Sequence, residues 1–104
     1  MIYQVIYVST SVEPMSSGNL TELLTQCREN NERNRITGML LHKQNHFMQA
    51  VEGEESAVRG LVDKIKNDSR HKNIDFLREY YRPSRDFPNW TMGFCYTNLY
   101  SRIE

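Results

Sequence analysis

Apolar and polar positions divide the chain into five strand-like runs and two helical stripes, in the order β-α-β-β-α-β-β. Runs of apolar, β-branched and aromatic residues predict strands over residues 2–8, 36–42, 46–52, 74–82 and 90–97. The polar triplet Lys43-Gln44-Asn45 suits a tight hairpin between the second and third strands.

The first helix is predicted to begin at Asn19, with Glu22 as the carboxylate that reaches back to this cap. It should end at Asn30 or Asn31, where a polar segment leads to the next strand. Its apolar stripe consists of Leu20, Leu23, Leu24 and Cys27.

The second helix should follow Gly53, since Glu54 and Glu55 place negative charge where a helix begins. Gly60 lies inside this helix and costs about 1 kcal/mol relative to Ala. A close neighbour that excludes a larger side chain would explain it. The apolar stripe consists of Val58, Leu61, Val62 and Ile65.

This order of elements indicates an α+β fold, a ferredoxin-like sandwich in which a five-stranded mixed sheet carries two helices on one face. Val5 and Tyr7 should share a face of the sheet, and Gln49 joins them if the first and third strands are neighbours. The other face should be apolar and hardly covered by the chain after residue 97, with Ile6, Val8, Met48 and Ala50.

Composition narrows the class of protein only a little. The 104 residues suit one domain, and 13 Lys and Arg against 13 Asp and Glu argue against a non-specific nucleic-acid binder. No apolar run approaches the ~20 residues of a membrane helix, and the N-terminus carries no signal-peptide pattern. Cys27 and Cys95 lie far apart, which is typical of buried thiols in a cytoplasmic protein.

Gln49 is the most informative polar position, because it interrupts an otherwise apolar strand. A buried amide must satisfy both its donors and its acceptor. Partners within the core are the more common explanation, and the polar edge of a ligand is the alternative. Tyr7 can reach this amide across neighbouring strands and form a relay with it, although a core tyrosine with one hydrogen bond is more common.

Asn30, Asn31, Arg70 and His71 are weaker candidates for a binding site. Asparagine at a helix end is most often a C-terminal cap and only sometimes a ligand amide. The pair Arg70 and His71 follows the second helix, where a solvated pair is the ordinary explanation and a phosphate clamp is the alternative.

Trp90 and Met92 are two residues apart on a predicted strand, so they should share a face, with core packing as the default. His42 and His46 flank the hairpin without a third ligand near in sequence, so metal binding is not expected. The chain carries none of the common nucleotide-binding, metalloprotease or hydrolase motifs, and no aromatic RNA-binding strand.

Five segments of the chain together resemble the BLUF domains, which are blue-light sensors that use FAD. They are IYVST (6–10), ENNERNRITGMLL (29–41), HFMQAVEG (46–53), DKIKNDSRH (63–71) and RDFPNWTMGF (85–94), within a match from about Ile2 to Phe94. The resemblance implies a noncovalently bound flavin between the two helices, on the sheet face of Tyr7 and Gln49. FAD is the expected cofactor, and FMN or riboflavin can substitute because the tail usually projects outward in this family.

The resemblance also implies roles for individual residues. Tyr7 corresponds to the redox-active tyrosine of the family and Gln49 to its switching glutamine. Trp90 and Met92 correspond to the fifth-strand residues that report the switch outward. Cys27 stands where members often carry Ser. The implied flavin-binding residues are Tyr7, Leu23, Cys27, Asn30, Asn31, Gln49, Ile65, Lys66, Arg70 and His71.

The implied function is a blue-light photoreceptor that is not itself an enzyme. Light should drive electron and proton transfer from Tyr7, and rearrangement of Gln49 should switch the hydrogen bonds of the flavin. The signal would then pass through the fifth strand to a partner or a fused effector. The alternative is a BLUF-like interaction module without competent photochemistry. A small acylphosphatase of the same topology is disfavoured, because residues 9–18 contain no Arg.

We therefore expect a photosensor domain at residues 1–97 and a tail at 98–104 that begins a linker or a truncated cap. The uncovered apolar face predicts either self-association through the sheet face opposite the flavin or a chain trimmed from a longer one. A downstream signalling protein or effector domain is the other expected partner, and neither nucleic acid nor a membrane is expected to bind directly.

Overall fold

The structure, a computed structural model, describes residues 1–12, 16–43, 45–69 and 71–96. Its elements follow the predicted order: β1 (Ile2–Ser11), α1 (Ser17–Asn34), β2 (Thr37–Lys43), β3 (His46–Gly53), α2 (Glu55–Lys66), β4 (His71–Arg82) and β5 (Gly93–Tyr96). The strands form a five-stranded sheet in the order β4-β1-β3-β2-β5, with β5 parallel to β2 and the other three pairs antiparallel. The prediction of a ferredoxin-like α+β fold with a mixed sheet is confirmed.

The helix α1 is longer at both ends than its apolar stripe predicts. Ser16 is the N-cap, and its hydroxyl accepts a hydrogen bond from the Asn19 N–H at 3.1 Å. Asn19 is therefore in the first turn and not at the cap. The helix ends at Asn34, and Arg35 is its C-cap, with a left-handed conformation of φ 56° and ψ 40°. Asn30 and Asn31 lie inside the helix, so their interpretation as C-terminal caps was wrong.

The strand β5 begins three residues later than predicted, at Gly93. Residues 83–92, which precede it, form bends and turns. Trp90 and Met92 lie in this irregular segment and do not share a face, because Trp90 is 48% exposed and Met92 is 2% exposed. The prediction of a shared face was wrong because side chains alternate regularly only along an extended strand.

The hydrophobic core lies between the sheet and the two helices. Val5 pairs with Val51 across the β1–β3 ladder, and Tyr7 pairs with Gln49 on the same face. The buried apolar members of the core are Tyr3, Val5, Leu23, Leu24, Ile36, Leu40, Phe47, Val51, Val58 and Met92. Among the residues described, neither helix combines the length and the apolar character that crossing a membrane requires.

The opposite face of the sheet is apolar in its middle. Leu41 and Met48 are exposed there, and Ile6, Val8 and Ala50 are half-buried. These side chains come from the three central strands β1, β3 and β2, as the alternation of the strands predicts.

One end of this opposite face is polar and buried, in contrast to the apolar face that the strand pattern predicts. Gln4, Thr37 and Glu52 lie side by side in register on β1, β2 and β3. They are 2%, 8% and 0% exposed, and hydrogen bonds join them to residues 85–87 of the segment before β5. The chain therefore covers this end of the face with its own backbone.

We predict that alanine substitution at two glycines, Gly38 and Gly60, changes the free energy of unfolding in opposite directions. A Cβ at Gly38 would stand 2.1 Å from the backbone carbonyl oxygen of Ala50. Gly38→Ala should therefore lower the free energy of unfolding by on the order of 2–3 kcal/mol. Apart from its chain neighbours and the backbone of its own helix, no described atom lies within 4 Å of a Cβ placed at Gly60, so the expected close neighbour is not found there.

Gly60→Ala should therefore raise the free energy of unfolding by roughly 0.5–1 kcal/mol, because alanine restricts the unfolded chain and favours the helix. Urea unfolding of the two variants beside the wild type measures both effects. A less stable Gly60→Ala protein, or a Gly38→Ala protein of unchanged stability, would contradict this account of the two positions.

Candidate functional site

A cavity of about 250 Å³ lies between α1 and α2 on the core face of the sheet. Tyr7 and Gln49 of the central strands line it from the sheet, and Leu23 and Ile65 line it from the two helices. The described residues around it are Tyr7, Leu23, Gln26, Cys27, Asn30, Asn31, Leu40, Phe47, Gln49, Leu61, Lys64, Ile65 and Asp68.

The side chain of Gln49 connects two different elements. The Tyr7 hydroxyl of β1 donates a hydrogen bond to Gln49 Oε1. Gln49 Nε2 in turn donates to Met92 Sδ, at 3.5 Å, in the segment before β5. Because the two ends of an amide differ in hydrogen-bond character, a half-turn of this side chain would exchange a donor for an acceptor at both positions.

The Tyr7 phenol is kept neutral by its surroundings. Burial is the main cause that raises its pKa above the ordinary value of a tyrosine, and the nearby Cys27 and Asp68 raise the pKa further. The Tyr7 ring also packs against Phe76, with 5.5 Å between ring centroids. At neutral pH the hydroxyl therefore retains the proton that it donates to Gln49.

The helix α1 brings two further amides to the cavity. Asn31 is 1% exposed, and its Nδ2 donates to the Thr91 carbonyl at 2.6 Å. Asn30 is half-buried, and Asn34 Nδ2 donates to its backbone carbonyl at 2.8 Å and to its side-chain Oδ1 at 3.3 Å. A side-chain amide carries two N–H groups and a carbonyl oxygen, so both residues can also bond a polar group inside the cavity.

Seven of the ten predicted binding residues line this cavity: Tyr7, Leu23, Cys27, Asn30, Asn31, Gln49 and Ile65. Lys66 does not. Its Nζ lies 5.1 Å from the centroid of the Phe76 ring, and the residue lines a separate groove between α2 and β4. Among the described lining residues, Lys64 provides the ammonium group instead. Arg70 and the side chain of His71 lie outside the described residues.

Sequence reasoning missed six of the residues that line the cavity: Gln26, Leu40, Phe47, Leu61, Lys64 and Asp68. Periodicity could have found two of them. Phe47 lies two residues before Gln49 on β3, and Leu61 lies four residues before Ile65 on α2. Lys64 and Asp68 had no such signal, because their positions depend on how α2 is rotated against the sheet.

These side chains fit a flat heteroaromatic ring with polar edges. Leu23 and Ile65 offer aliphatic surface from facing helices, which suits the two faces of such a ring and excludes water. Gln49, Asn30 and Asn31 offer donors and acceptors in the same cavity, as the carbonyl and ring-nitrogen groups of a flavin require.

The chain belongs to the BLUF family, because the family model of sensors of blue-light using FAD matches residues 2–93. Photoactivated adenylate cyclase subunit beta of Euglena gracilis is 32% identical over 87 residues, which cover 83% of this chain and 10% of that protein. A bacterial light-regulated adenylyl cyclase has a similar structure, with TM-score 0.90 and 36% identity over 100% of this chain and 30% of the other. The dark-state structure of BlrB, a BLUF protein, gives TM-score 0.87 and 29% identity over 91% of this chain and 72% of the other.

The family assignment made from sequence motifs is thereby confirmed, and with it the class of protein: flavin-binding blue-light sensors. The chain spans 7 to 10% of the length of four photoactivated cyclase proteins of Euglena gracilis that it matches.

We predict that the Tyr7 phenol makes the stability of the domain depend on pH in the alkaline range. In the unfolded chain the phenol loses its proton near pH 10, about its ordinary pKa, whereas burial keeps it protonated in the fold. The unfolded state is therefore favoured as the pH rises, by at most ~1.4 kcal/mol per pH unit until the folded phenol titrates too.

The measurement is urea unfolding of the wild type and Tyr7→Phe from about pH 8 to about pH 11. The free energies of unfolding of the two proteins should differ by a constant amount up to about pH 9. They should then converge, because only the wild type loses the stabilisation that the buried Tyr7 phenol provides. Parallel curves over the whole range would contradict the assignment.

Proposed function

We propose that this chain is a blue-light photoreceptor that binds a flavin noncovalently and responds to light by rearranging the hydrogen bonds of Gln49. The observation that carries the proposal is the position of that amide, which lies beside the cavity with the Tyr7 phenol at one end and the Met92 thioether at the other. Membership of a family of flavin-binding light sensors supports it.

In this proposal the flavin ring lies between Leu23 and Ile65, and its polar edges meet Gln49, Asn30 and Asn31. FAD is the flavin that the family description names. FMN and riboflavin can substitute, because most of the contacts proposed here are made to the ring. Contacts to the polar edge and tail are proposed for Arg70 and His71, and Lys64 is assigned to the cavity in place of Lys66.

A bound flavin supplies an oxidant when it absorbs blue light, and the chain supplies the donor and the switch. Tyr7 is the donor, because its ring lines the cavity and its hydroxyl already points at Gln49 Oε1. When the Tyr7 ring loses an electron, its hydroxyl proton moves along this bond to Gln49. Return of one electron and one proton to Tyr7 then leaves Gln49 rotated or tautomerised, with a new set of partners.

The changed amide communicates with the surface through the segment before β5. Gln49 Nε2 is bonded to Met92 Sδ, so a rotated amide releases this sulfur or offers it a different partner. Trp90 lies two residues earlier and is 48% exposed. A change at Gln49 therefore reaches solvent within one short segment and the edge strand β5 that follows it.

The output partner is proposed to be a protein surface that contacts this segment or the apolar middle of the opposite sheet face. The similar proteins named as adenylate cyclases carry the matching region within much longer chains, which supports an effector that is fused or separate. No reaction is assigned to the residues of this chain itself. A cytoplasmic location stays a prediction from the sequence.

The competing proposal is a BLUF-like interaction module without photochemistry. Tyr7, Gln49 and both cavity asparagines are present and brought together, which favours the photoreceptor. Cys27 favours the interaction module, because its thiol is a weaker hydrogen-bond donor than the serine hydroxyl that is common at this position in the family.

We predict that purified protein binds flavin and shows absorption bands that shift slightly to the red under blue light and recover in darkness. Tyr7→Phe and Gln49→Leu should each abolish the shift while flavin stays bound, because one removes the hydroxyl and the other the amide. Tyr80→Phe is the matched control, since Tyr80 is half-buried on the opposite face of the sheet and should leave the shift unchanged.

A protein that does not bind added FAD, or variants that retain the full shift, would contradict the photoreceptor and favour the interaction module. The absorption spectrum in darkness, taken for each variant before illumination, separates loss of flavin from loss of the light response.

We also predict self-association through the opposite sheet face, on which Leu41 and Met48 are 37% and 40% exposed. Light scattering after size exclusion should give a mass above that of one chain, and Met48→Glu should restore the monomer by placing a charge in the contact. A wild type that stays monomeric at high protein concentration would contradict self-association and leave an effector as the partner of this face.

A further inference from the structure

Glu52 is fully buried on the face of the sheet opposite the cavity, and its carboxylate accepts four hydrogen bonds. Oε1 accepts from Gln4 Nε2 at 3.0 Å and from the Asp86 N–H at 2.9 Å. Oε2 accepts from Thr37 Oγ1 and from the Phe87 N–H, both at 2.8 Å. A carboxylate has about four acceptor sites, so these donors, which we call the Glu52 cluster, use its whole capacity.

The Glu52 cluster fixes the beginning of the irregular segment that leads to β5. Two of the donors are successive backbone N–H groups, those of Asp86 and Phe87. The neighbouring Arg85 adds three bonds. Its Nη1 donates to Thr37 Oγ1 at 2.8 Å and to the Glu52 backbone carbonyl at 3.2 Å, and its Nη2 donates to the Arg35 carbonyl at 2.7 Å. The segment is therefore held to the sheet and to the end of α1.

A short path of contacts leads from these anchored residues to Met92. The Trp90 N–H donates to the Phe87 carbonyl at 3.2 Å, and the two rings stack with centroids 6.0 Å apart. The Trp90 carbonyl then accepts from the Gly38 N–H at 2.9 Å. Two residues later, Met92 Sδ accepts from Gln49. The Met92 backbone is also held from α1, where Arg28 Nε donates to its carbonyl at 3.0 Å. The position of this sulfur therefore depends in part on where Phe87 and Trp90 are held.

We propose that Glu52 is a positioning residue of the light response, since its carboxylate fixes the backbone of Asp86 and Phe87 and so holds Met92 within reach of Gln49. The inference rests on the proposed photoreceptor function and extends it to a residue on the far side of the sheet.

All four groups around the Glu52 carboxylate are donors, so the side chain at this position must offer each of them an acceptor. In a Glu52→Gln variant, the side-chain NH2 group would take the place of either Oε1 or Oε2 and would face the two donors of that oxygen. One of these two donors is a backbone N–H in either case, of Asp86 or of Phe87. One backbone donor would therefore lose its partner in a buried place, although the side chain keeps its size.

The test uses the whole chain with FAD bound and compares Glu52→Gln with the wild type. In darkness, amide hydrogen exchange at Asp86 or Phe87 should accelerate by about tenfold or more. The change in Trp90 fluorescence upon illumination should be largely lost, and Trp90 is the one tryptophan of the sequence. The red shift of the flavin should remain, because Tyr7 and Gln49 are unaltered.

Glu79→Gln is the matched control. It makes the same chemical change on β4, where Glu79 Oε2 accepts from the Tyr3 hydroxyl at 2.6 Å and does not join the Glu52 cluster. All three readouts should equal those of the wild type.

Gln4→Met is the milder second variant and decides the question if Glu52→Gln does not fold. It removes the bonds from Gln4 Nε2 to Glu52 and to Asp86 Oδ2, the latter of 2.8 Å, while the carboxylate and both backbone donors remain. Exchange at Asp86 should accelerate by a smaller factor, together with a partial loss of the Trp90 response.

Unchanged exchange at Asp86 and Phe87 would overturn the anchoring role. Faster exchange with a Trp90 response of wild-type size would overturn the positioning role, as would a wild type whose flavin shifts without any change at Trp90. A wild type that shows no flavin shift at all would instead contradict the proposed photoreceptor function, and the exchange rates would then decide the anchoring role by themselves.

Discussion

A buried side-chain amide must find partners for its donors and its acceptor, and this requirement at Gln49 organises the site. In the apolar core between sheet and helices, the amide has the Tyr7 hydroxyl at its oxygen and Met92 Sδ at its nitrogen. The oxygen has a strong partner, while a thioether is a weak acceptor. Only the oxygen of this amide is therefore strongly bonded, and under the proposed function the weak bond at its nitrogen is the one that a rotated amide gives up.

Each face of the sheet buries a polar side chain, and the two side chains differ in how completely they are hydrogen-bonded. On the core face, Gln49 faces a cavity and a weak sulfur acceptor, so its arrangement can change. On the opposite face, Glu52 has four donors for about four acceptor sites, so its arrangement is fixed. Both side chains come from β3, three residues apart, and both act on the same segment before β5.

The sequence was sufficient for the fold because regular alternation and helical stripes specify which residues face the core. It predicted the meeting of Tyr7 and Gln49 for the same reason, since both lie on regular neighbouring strands. The prediction that Trp90 and Met92 share a face failed, because their segment is irregular and its side chains do not alternate. The resemblance assigned Lys66 to the flavin site, whereas Lys64 lines the cavity, because residues two apart on a helix face in nearly opposite directions.

The bonds from α1 to the segment before β5 have a thermodynamic consequence. Asn31 Nδ2 holds the Thr91 carbonyl and Arg28 Nε holds the Met92 carbonyl at 3.0 Å, while the same helix forms one wall of the cavity. A ligand that orders this wall must also order the attached backbone. Part of its binding free energy is therefore spent on a conformational equilibrium outside the cavity, and by linkage the state of that segment sets the apparent affinity of the cavity for its ligand.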